Sequence, residues 1–260
     1  MQHDDQFITI EAGGSVSRRI ACNVSTGQGP VGIFWMCGFL ANMRGRKASA
    51  LAEWCRRKDY ALTRFDYSGR GHSEGRIEDG TISQWLEETK TVFIEKTTGP
   101  QIVIGSSMGG WLALLLMRAL APHDNRIAGC ILVAPAWNMT EALMWDRFSP
   151  DIREEIDKKG AYHHPSPYGP YSITKQLIKD GRSHLIHPKD LTFNCPVAVL
   201  HGMQDRVVPW QRSLEIVEQA NHDDMVLELI RDGDHGLSRD RDLARLFRRV
   251  DEMVDMSSSR

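Results

Sequence analysis

The stretch QIVIGSSMGGWLALLLM (101–117) places an apolar run, a serine flanked by glycines and a second apolar run in direct succession. A turn that joins a strand to a helix within so few residues forces its central residue into a strained backbone conformation. The positions two before and two after that residue must then lack side chains, and here they are Gly105 and Gly109. The stretch therefore predicts a buried strand, a sharp turn centred on Ser107 and a helix, with the serine hydroxyl raised at the carboxyl end of the strand.

Short apolar runs alternate with longer amphipathic segments along most of the chain. This alternation predicts an α/β fold with a mostly parallel sheet flanked by helices. The first two predicted strands lie on either side of Gly13 and Gly14, which predicts an antiparallel hairpin. The predicted strands are 7–11, 19–24, 31–38, 60–67, 101–105, 127–135, 195–202 and 225–230, and the predicted helices are 47–58, 81–96, 109–120, 210–220 and 240–256.

Residues 136–194 interrupt this alternation. They contain several prolines and many aromatic residues and methionines, but no clear strand. Regular alternation then resumes at Cys195. The break predicts a cap inserted into a single domain that spans residues 1–260, which is within the usual size of one α/β domain.

A serine hydroxyl is a poor nucleophile at neutral pH unless a base removes its proton and an acid orients that base. Two downstream loops supply an acid and a histidine, so the order along the chain is serine, acid, histidine. Asp205, in LHGMQDRVVP, follows a predicted strand directly, and His235, in RDGDHGLS, lies between a predicted strand and the last helix. The pattern predicts a triad in which Ser107 is the nucleophile, His235 the base and Asp205 the orienting acid.

Each member of this predicted triad has an alternative, which for Ser107 is a glycine-rich turn that only packs the strand against the helix. Asp205 could instead serve only to form a turn, because aspartate is common in turns, and Asp234 competes with it for the role of the acid. Sequence neighbours seldom point at one another's ring, which favours Asp205 over Asp234. His201, at a strand end, is interpreted as a structural hydrogen-bonding residue, whereas His72 precedes the nucleophile and is a candidate for lining the site.

Composition excludes several other classes of protein. The formal net charge of −2 gives no indication of a nucleic-acid partner, and no apolar run reaches the 18 to 20 residues of a membrane span. The 5 cysteines form no CxxC pair and the adjacent pair His163 and His164 lacks metal-ligand spacing, so neither a metal nor another cofactor is predicted. The acidic start MQHDDQFITI differs from a signal or transit peptide and predicts a cytoplasmic protein. The sequence leaves the oligomeric state open.

Longer blocks of sequence resemble one family of α/β hydrolases. These blocks are GFLANMRGRKA, RFDYSGRGHSEG, GSSMGGWLALL, NCPVAVLHGMQDRVVPW and GDHGLSR, and the match spans roughly residues 38–237. They are similar to the mitochondrial abhydrolase-domain family of palmitoyl-protein thioesterases and acyl-glucuronide esterases. The resemblance implies that Ser107, Asp205 and His235 fall on the family's triad, and that the backbone amides of Phe39 and Met108 fall on its oxyanion hole. Cys37 replaces the histidine that many relatives carry before Gly38, and without an elbow of its own it is not predicted to be a nucleophile.

The resemblance implies hydrolysis of esters or thioesters through an acyl-enzyme, with a small-molecule ester or an acylated protein as substrate. Three alternatives stay open, namely a general small-molecule carboxylesterase, a non-catalytic binding protein on the same fold, and haloperoxidase-like or acyltransferase chemistry, since nucleophiles other than water can resolve an acyl-enzyme. Cap residues are candidates for lining an acyl pocket or, alternatively, for packing the cap onto the sheet. The candidates are Trp137, Trp145 and Phe148, together with Met139, Met144, Tyr162 and Tyr168.

Overall fold

The strands of the main sheet in this computed structural model follow the predicted alternation. In chain order they are β1 (Gln6–Ile10), β2 (Arg18–Ser25), β3 (Gly32–Met36), β4 (Leu62–Phe65), β5 (Gln101–Ser106), β6 (Ile127–Val133), β9 (Val197–Gly202) and β10 (Met225–Ile230), with β7 (Ala161–His164) and β8 (Tyr171–Thr174) forming a separate pair. The structure describes residues 5–11, 17–121, 124–165 and 170–258. The predicted turn at Gly13 and Gly14 lies outside these residues.

The 8 strands of the main sheet lie in the order β1-β2-β4-β3-β5-β6-β9-β10. β2 runs antiparallel to both β1 and β4, and every other neighbouring pair is parallel. The predicted fold class and the antiparallel hairpin at the start of the chain are therefore confirmed. All residues of β3, β5 and β9 are buried, as expected for strands covered on both faces.

Helices connect the strands and cover the sheet. They are α1 (Arg46–Lys58), α2 (Ile82–Lys96), α3 (Met108–Leu120), α4 (Pro150–Lys159), α5 (Lys175–Gly181), α6 (Gln211–Gln219) and α7 (Asp240–Ser258). Trp54 of α1 stacks on Phe247 of α7, with ring centroids 5.1 Å apart. None of the helices within the described residues is long and apolar enough to cross a membrane.

The order of the strands reverses at β3, because the next strand along the chain, β4, pairs on one side of it and β5 pairs on the other. Loops that leave the carboxyl ends of parallel strands beside such a reversal surround a crevice where ligands bind in open α/β sheets. The loops that follow β3, β5, β9 and β10 all leave this edge. They carry the residues predicted to act in catalysis.

The insertion between β6 and β9 corrects one prediction. Residues 136–194 were expected to contain no strand, but β7 and β8 pair there in antiparallel register, with Tyr162 opposite Ile173. Each strand spans only 4 residues and β7 reads Ala-Tyr-His-His, so neither forms the long β-branched run that identifies a strand of the main sheet. The insertion also contains α4 and α5. Residue Tyr168, a predicted pocket residue, lies outside the described residues.

Candidate active site

The turn between β5 and α3 has the strained geometry that its sequence predicts. Ser107 has φ 56° and ψ −119°, a conformation that few residues other than glycine adopt. A Cβ atom added at Gly105 would lie 2.3 Å from the carbonyl oxygen of Gly109, and one added at Gly109 would lie 2.3 Å from that of Met36. The two glycines therefore allow β3, β5 and α3 to approach closely enough to hold Ser107 in this conformation.

Replacing Gly109 with alanine is expected to destabilise the fold by about 3 kcal/mol, because the added methyl group would collide with backbone rather than with a movable side chain. Urea unfolding of the Gly109→Ala protein measures this loss. Gly45→Ala is the matched control, since its added Cβ would meet only the carbonyl oxygen of Asn42, at 3.3 Å, and should cost about 1 kcal/mol or less. Equal losses in the two variants would contradict this explanation of the turn.

Three side chains far apart in the sequence meet beside this turn. The Nε2 atom of His235 lies 3.0 Å from the Oγ atom of Ser107, and its Nδ1 atom lies 2.7 Å from the Oδ2 atom of Asp205. The Asp205 side chain is fully buried, whereas that of His235 is 27% exposed. Both contacts are within hydrogen-bonding distance. The structure thus brings together the serine, the histidine and the carboxylate that the sequence singles out.

The carboxylate of Asp205 is held on both of its oxygens. Oδ1 accepts hydrogen bonds of 2.8 Å from the backbone amides of Val207 and Val208, while Oδ2 faces the rings of His201 and His235. Burial by itself raises the pKa of Asp205, but the hydrogen bonds from His201 and His235 outweigh it and hold the pKa well below its ordinary value. Asp205 is therefore ionised at neutral pH.

This depressed pKa predicts a specific loss of stability in acid. A carboxyl group whose folded-state pKa lies below its unfolded-state value stabilises the fold above about pH 4 and loses that contribution as the pH falls toward the folded-state pKa. The difference in the free energy of unfolding between the wild type and Asp205→Asn should therefore be nearly constant from pH 7 to about pH 5 and should narrow as the pH falls below about 4. Urea unfolding from pH 7 to about pH 3 measures it, and a difference that stays constant over the whole range would contradict the prediction.

The loops that carry Asp205 and His235 touch through their backbones. The amide of Gln204 donates a hydrogen bond of 2.8 Å to the carbonyl of Gly233, and that of Met203 donates one of 2.8 Å to Ile230. A Cβ atom added at Gly202 would lie 2.3 Å from the carbonyl oxygen of Gly233. The glycine at the end of β9 thus permits the loops that carry Asp205 and His235 to lie side by side.

Lys47 of α1 supports the loop that carries His235, and sequence reasoning did not identify it. Its Nζ atom donates a hydrogen bond to the carbonyl of Gly236, the residue after His235. Burial lowers the pKa of Lys47, against the opposing influence of Asp234. No motif distinguishes this lysine in the sequence, because its partner is a backbone atom 189 residues away.

The loop after β3 passes directly beside Ser107. A Cβ atom added at Gly38 would lie 3.2 Å from the Cβ atom of Ser107 and 3.8 Å from its Oγ atom. The amides of Phe39, next in this loop, and Met108, at the start of α3, donate to no acceptor within the described residues. Met108 follows Ser107 directly in the chain, and Phe39 follows the glycine that approaches Ser107 in space.

Most of the chain is similar to proteins of a known family. The family model described as Hydrolase_4, serine aminopeptidase S33, matches residues 40–166. The human mitochondrial palmitoyl-protein thioesterase ABHD10 is 32% identical over 231 residues, which cover 88% of this chain and 74% of that protein. The chain belongs to the ABHD10 family of α/β hydrolases. This is a family of the esterase and thioesterase type, and the chain is accordingly a hydrolase.

Solved structures agree with this family assignment. The mouse ABHD10 structure matches with a TM-score of 0.85 at 31% identity, covering 96% of this chain and 99% of that one. A structure from Agrobacterium vitis S4, whose protein is named only as a hydrolase, matches with a TM-score of 0.91 at 36% identity, covering 96% of this chain and 98% of that one. The human ABHD10 protein is named as mitochondrial, so the cytoplasmic location remains a prediction.

Two of the predicted pocket residues contact arginines. Trp137 is buried, its Nε1 atom donates to the carbonyl of Arg212 at 3.0 Å, and the Arg212 guanidinium lies 3.7 Å from its ring centre. Trp145 lies under the guanidinium groups of Arg153 and Arg182. These contacts support the alternative in which the two tryptophans pack the cap in place.

An aromatic row connects the cap to the predicted oxyanion loop of this ABHD10 relative. Phe148 packs edge-on against Tyr162, and at the far end Tyr171 of β8 packs edge-on against Phe39, with ring centroids 5.6 Å apart. His164 lies between the two tyrosines. A displacement of β8 would therefore change the contact between the rings of Tyr171 and Phe39.

The alternative residues take other positions. His72 pairs with Asp5 at 2.5 Å rather than with Ser107, and Asp234 accepts a hydrogen bond of 3.0 Å from the amide of Leu237. Burial raises the pKa of Cys37 to about 12, which keeps this thiol protonated. Within the described residues no cluster of three or more histidine, cysteine, aspartate or glutamate side chains is placed to hold a metal ion.

Proposed function

We propose that the protein is a serine hydrolase that cleaves ester or thioester bonds through an acyl-enzyme. The observation that carries this proposal is the pair of contacts made by His235, 3.0 Å to Ser107 on one side of the ring and 2.7 Å to Asp205 on the other. The Nδ1 atom faces an ionised carboxylate and therefore carries a proton. The lone pair of Nε2 is then directed at the Ser107 hydroxyl, as general base catalysis requires.

The proposed reaction has two halves. The Oγ atom of Ser107 attacks the carbonyl carbon while its proton passes to Nε2 of His235, and the amides of Phe39 and Met108 bind the resulting oxyanion. Collapse of this intermediate breaks the bond to the leaving group, which takes the proton from His235. A water molecule, deprotonated by the same ring, then attacks the acyl-serine and releases the carboxylic acid and the free serine.

Leaving-group chemistry favours esters and thioesters over amides. A thiolate has a conjugate-acid pKa of about 8.5 and departs with little protonation, whereas an amine must be protonated to leave. The name palmitoyl-protein thioesterase belongs to the human relative and supports an acyl thioester as the substrate class for this chain. An acylated protein, an acyl glucuronide and a small-molecule ester each present an acyl carbonyl carbon for attack, and they differ in the leaving group.

A panel of substrates tests the proposal. The purified protein is assayed with an S-palmitoyl cysteine peptide, an S-octanoyl thioester, an acyl glucuronide, a short aryl ester and a matched amide, each beside the Ser107→Ala variant. We expect Ser107-dependent turnover of thioesters and esters and at least a 100-fold lower rate with the amide. Turnover confined to the aryl ester would favour a general carboxylesterase. No turnover of any substrate would favour a non-catalytic binding protein and contradict the proposal.

A further inference from the structure

His201 is a fully buried histidine that the proposed reaction does not use. It lies in β9, four residues before Asp205, and none of its surface is exposed. Its Nε2 atom lies 3.1 Å from the Oδ2 atom of Asp205 and 3.0 Å from the carbonyl oxygen of Val208. Its Nδ1 atom lies 2.6 Å from the Oγ atom of Ser213 in α6. Every polar atom of this ring therefore has a partner.

The partners of His201 determine where its proton lies. Nε2 faces a carboxylate oxygen and a carbonyl oxygen, which are both acceptors only, so Nε2 carries a proton and donates. Nδ1 faces a hydroxyl group, which is able to donate to it. The tautomer with the proton on Nε2 thus satisfies all three neighbours without a buried charge on the ring.

His201 acts on the same oxygen that orients the catalytic base. Oδ2 of Asp205 receives one N–H group from His201 and one from His235, while Oδ1 is held by the two amides of Val207 and Val208. The amides fix one end of the carboxylate, and His201 fixes the other. The direction in which Oδ2 faces Nδ1 of His235 is therefore set by a ring that never meets the substrate.

We propose that His201 is a positioning residue that aligns Asp205 with His235 and thereby raises the rate of the two steps in which His235 acts as the base. This inference rests on the proposed function, because it assumes that His235 is the base. It assigns no direct chemistry to His201. Ser213 fills the remaining nitrogen of the ring and lies outside the line of contacts from His201 to Asp205 and His235.

Three variants separate positioning from stability. His201→Leu should lower kcat for a thioester roughly 10- to 100-fold with KM changed by less than about twofold, because misalignment of a catalytic group affects the transition state rather than substrate binding. His201→Gln, whose amide N–H reaches the position of Nε2, should recover most of that loss. Ser213→Ala should lower the thermal unfolding temperature while kcat stays within about threefold of wild type.

A double-mutant cycle completes the test. In the Asp205→Asn background, His201→Leu should lower kcat by less than about threefold, since the carboxylate that it positions is gone. An unchanged kcat in His201→Leu, or a kcat in Ser213→Ala that falls as far as in His201→Leu, would overturn the positioning role. The proposed function would still stand in either case if Ser107→Ala and His235→Ala were inactive, so the two failures are distinguishable.

Discussion

Replacing Ser107 with alanine is expected to lower kcat/KM for a thioester substrate by about 10⁴-fold or more, because the atom that forms the acyl-enzyme is removed. The fold should persist, since alanine and serine face the same backbone strain at φ 56° and Gly105 and Gly109 are retained. Turnover of an S-octanoyl thioester measures the loss, and the thermal unfolding temperature reports on the fold.

The neighbouring serine supplies the matched control. Ser106 ends β5 and is only 5% exposed. It is the Oγ atom of Ser107, not that of Ser106, that lies 3.0 Å from the Nε2 atom of His235. Ser106→Ala should keep kcat/KM within about fivefold of wild type. Comparable losses of kcat/KM in the two variants, or an active Ser107→Ala protein, would contradict the assignment of Ser107 as the nucleophile.

Replacing His235 with alanine is expected to cost a similar 10⁴-fold or more in kcat/KM, because the Ser107 hydroxyl then has no base to take its proton. His72→Ala is the control, since the His72 ring pairs with Asp5 and is not a member of the proposed triad. That variant should retain more than about half of the wild-type activity. The assay is the same thioester turnover, and a His235→Ala protein with activity close to wild type would contradict the assignment of the base.

The sequence alone was sufficient to predict the turn at Ser107. Its requirements are local, since a strand, two glycines at fixed offsets and a helix all lie within one short stretch. Asp205 and His235 could also be predicted, because each follows a strand of a parallel sheet and such strands end at a common edge. The predicted strand 127–135 is shorter in the structure, where β6 ends at Val133 and the chain turns at Ala134, which has φ 45°.

Contacts between distant segments could not be predicted in the same way. The pairing of β7 with β8 joins two runs of 4 residues that share no apolar pattern, so no periodicity identifies them. The sequence suggests a structural role for His201, but it does not reveal that the ring contacts Oδ2 of Asp205, because this contact depends on the course of the loop after β9. Likewise, the contact between the rings of Tyr171 and Phe39 joins two segments that are far apart in the sequence, so no local pattern predicts it.

The central claim is that Ser107 becomes reactive because the ring of residue 235 and the carboxylate of residue 205 converge on it. The most direct test is to treat the native protein with a fluorophosphonate probe, digest it and locate the adduct by mass spectrometry. We expect one adduct, on the Oγ atom of Ser107, formed far more slowly in His235→Ala. An adduct on Ser106 or on Cys37, or labelling of Ser107 at the same rate without His235, would contradict the account.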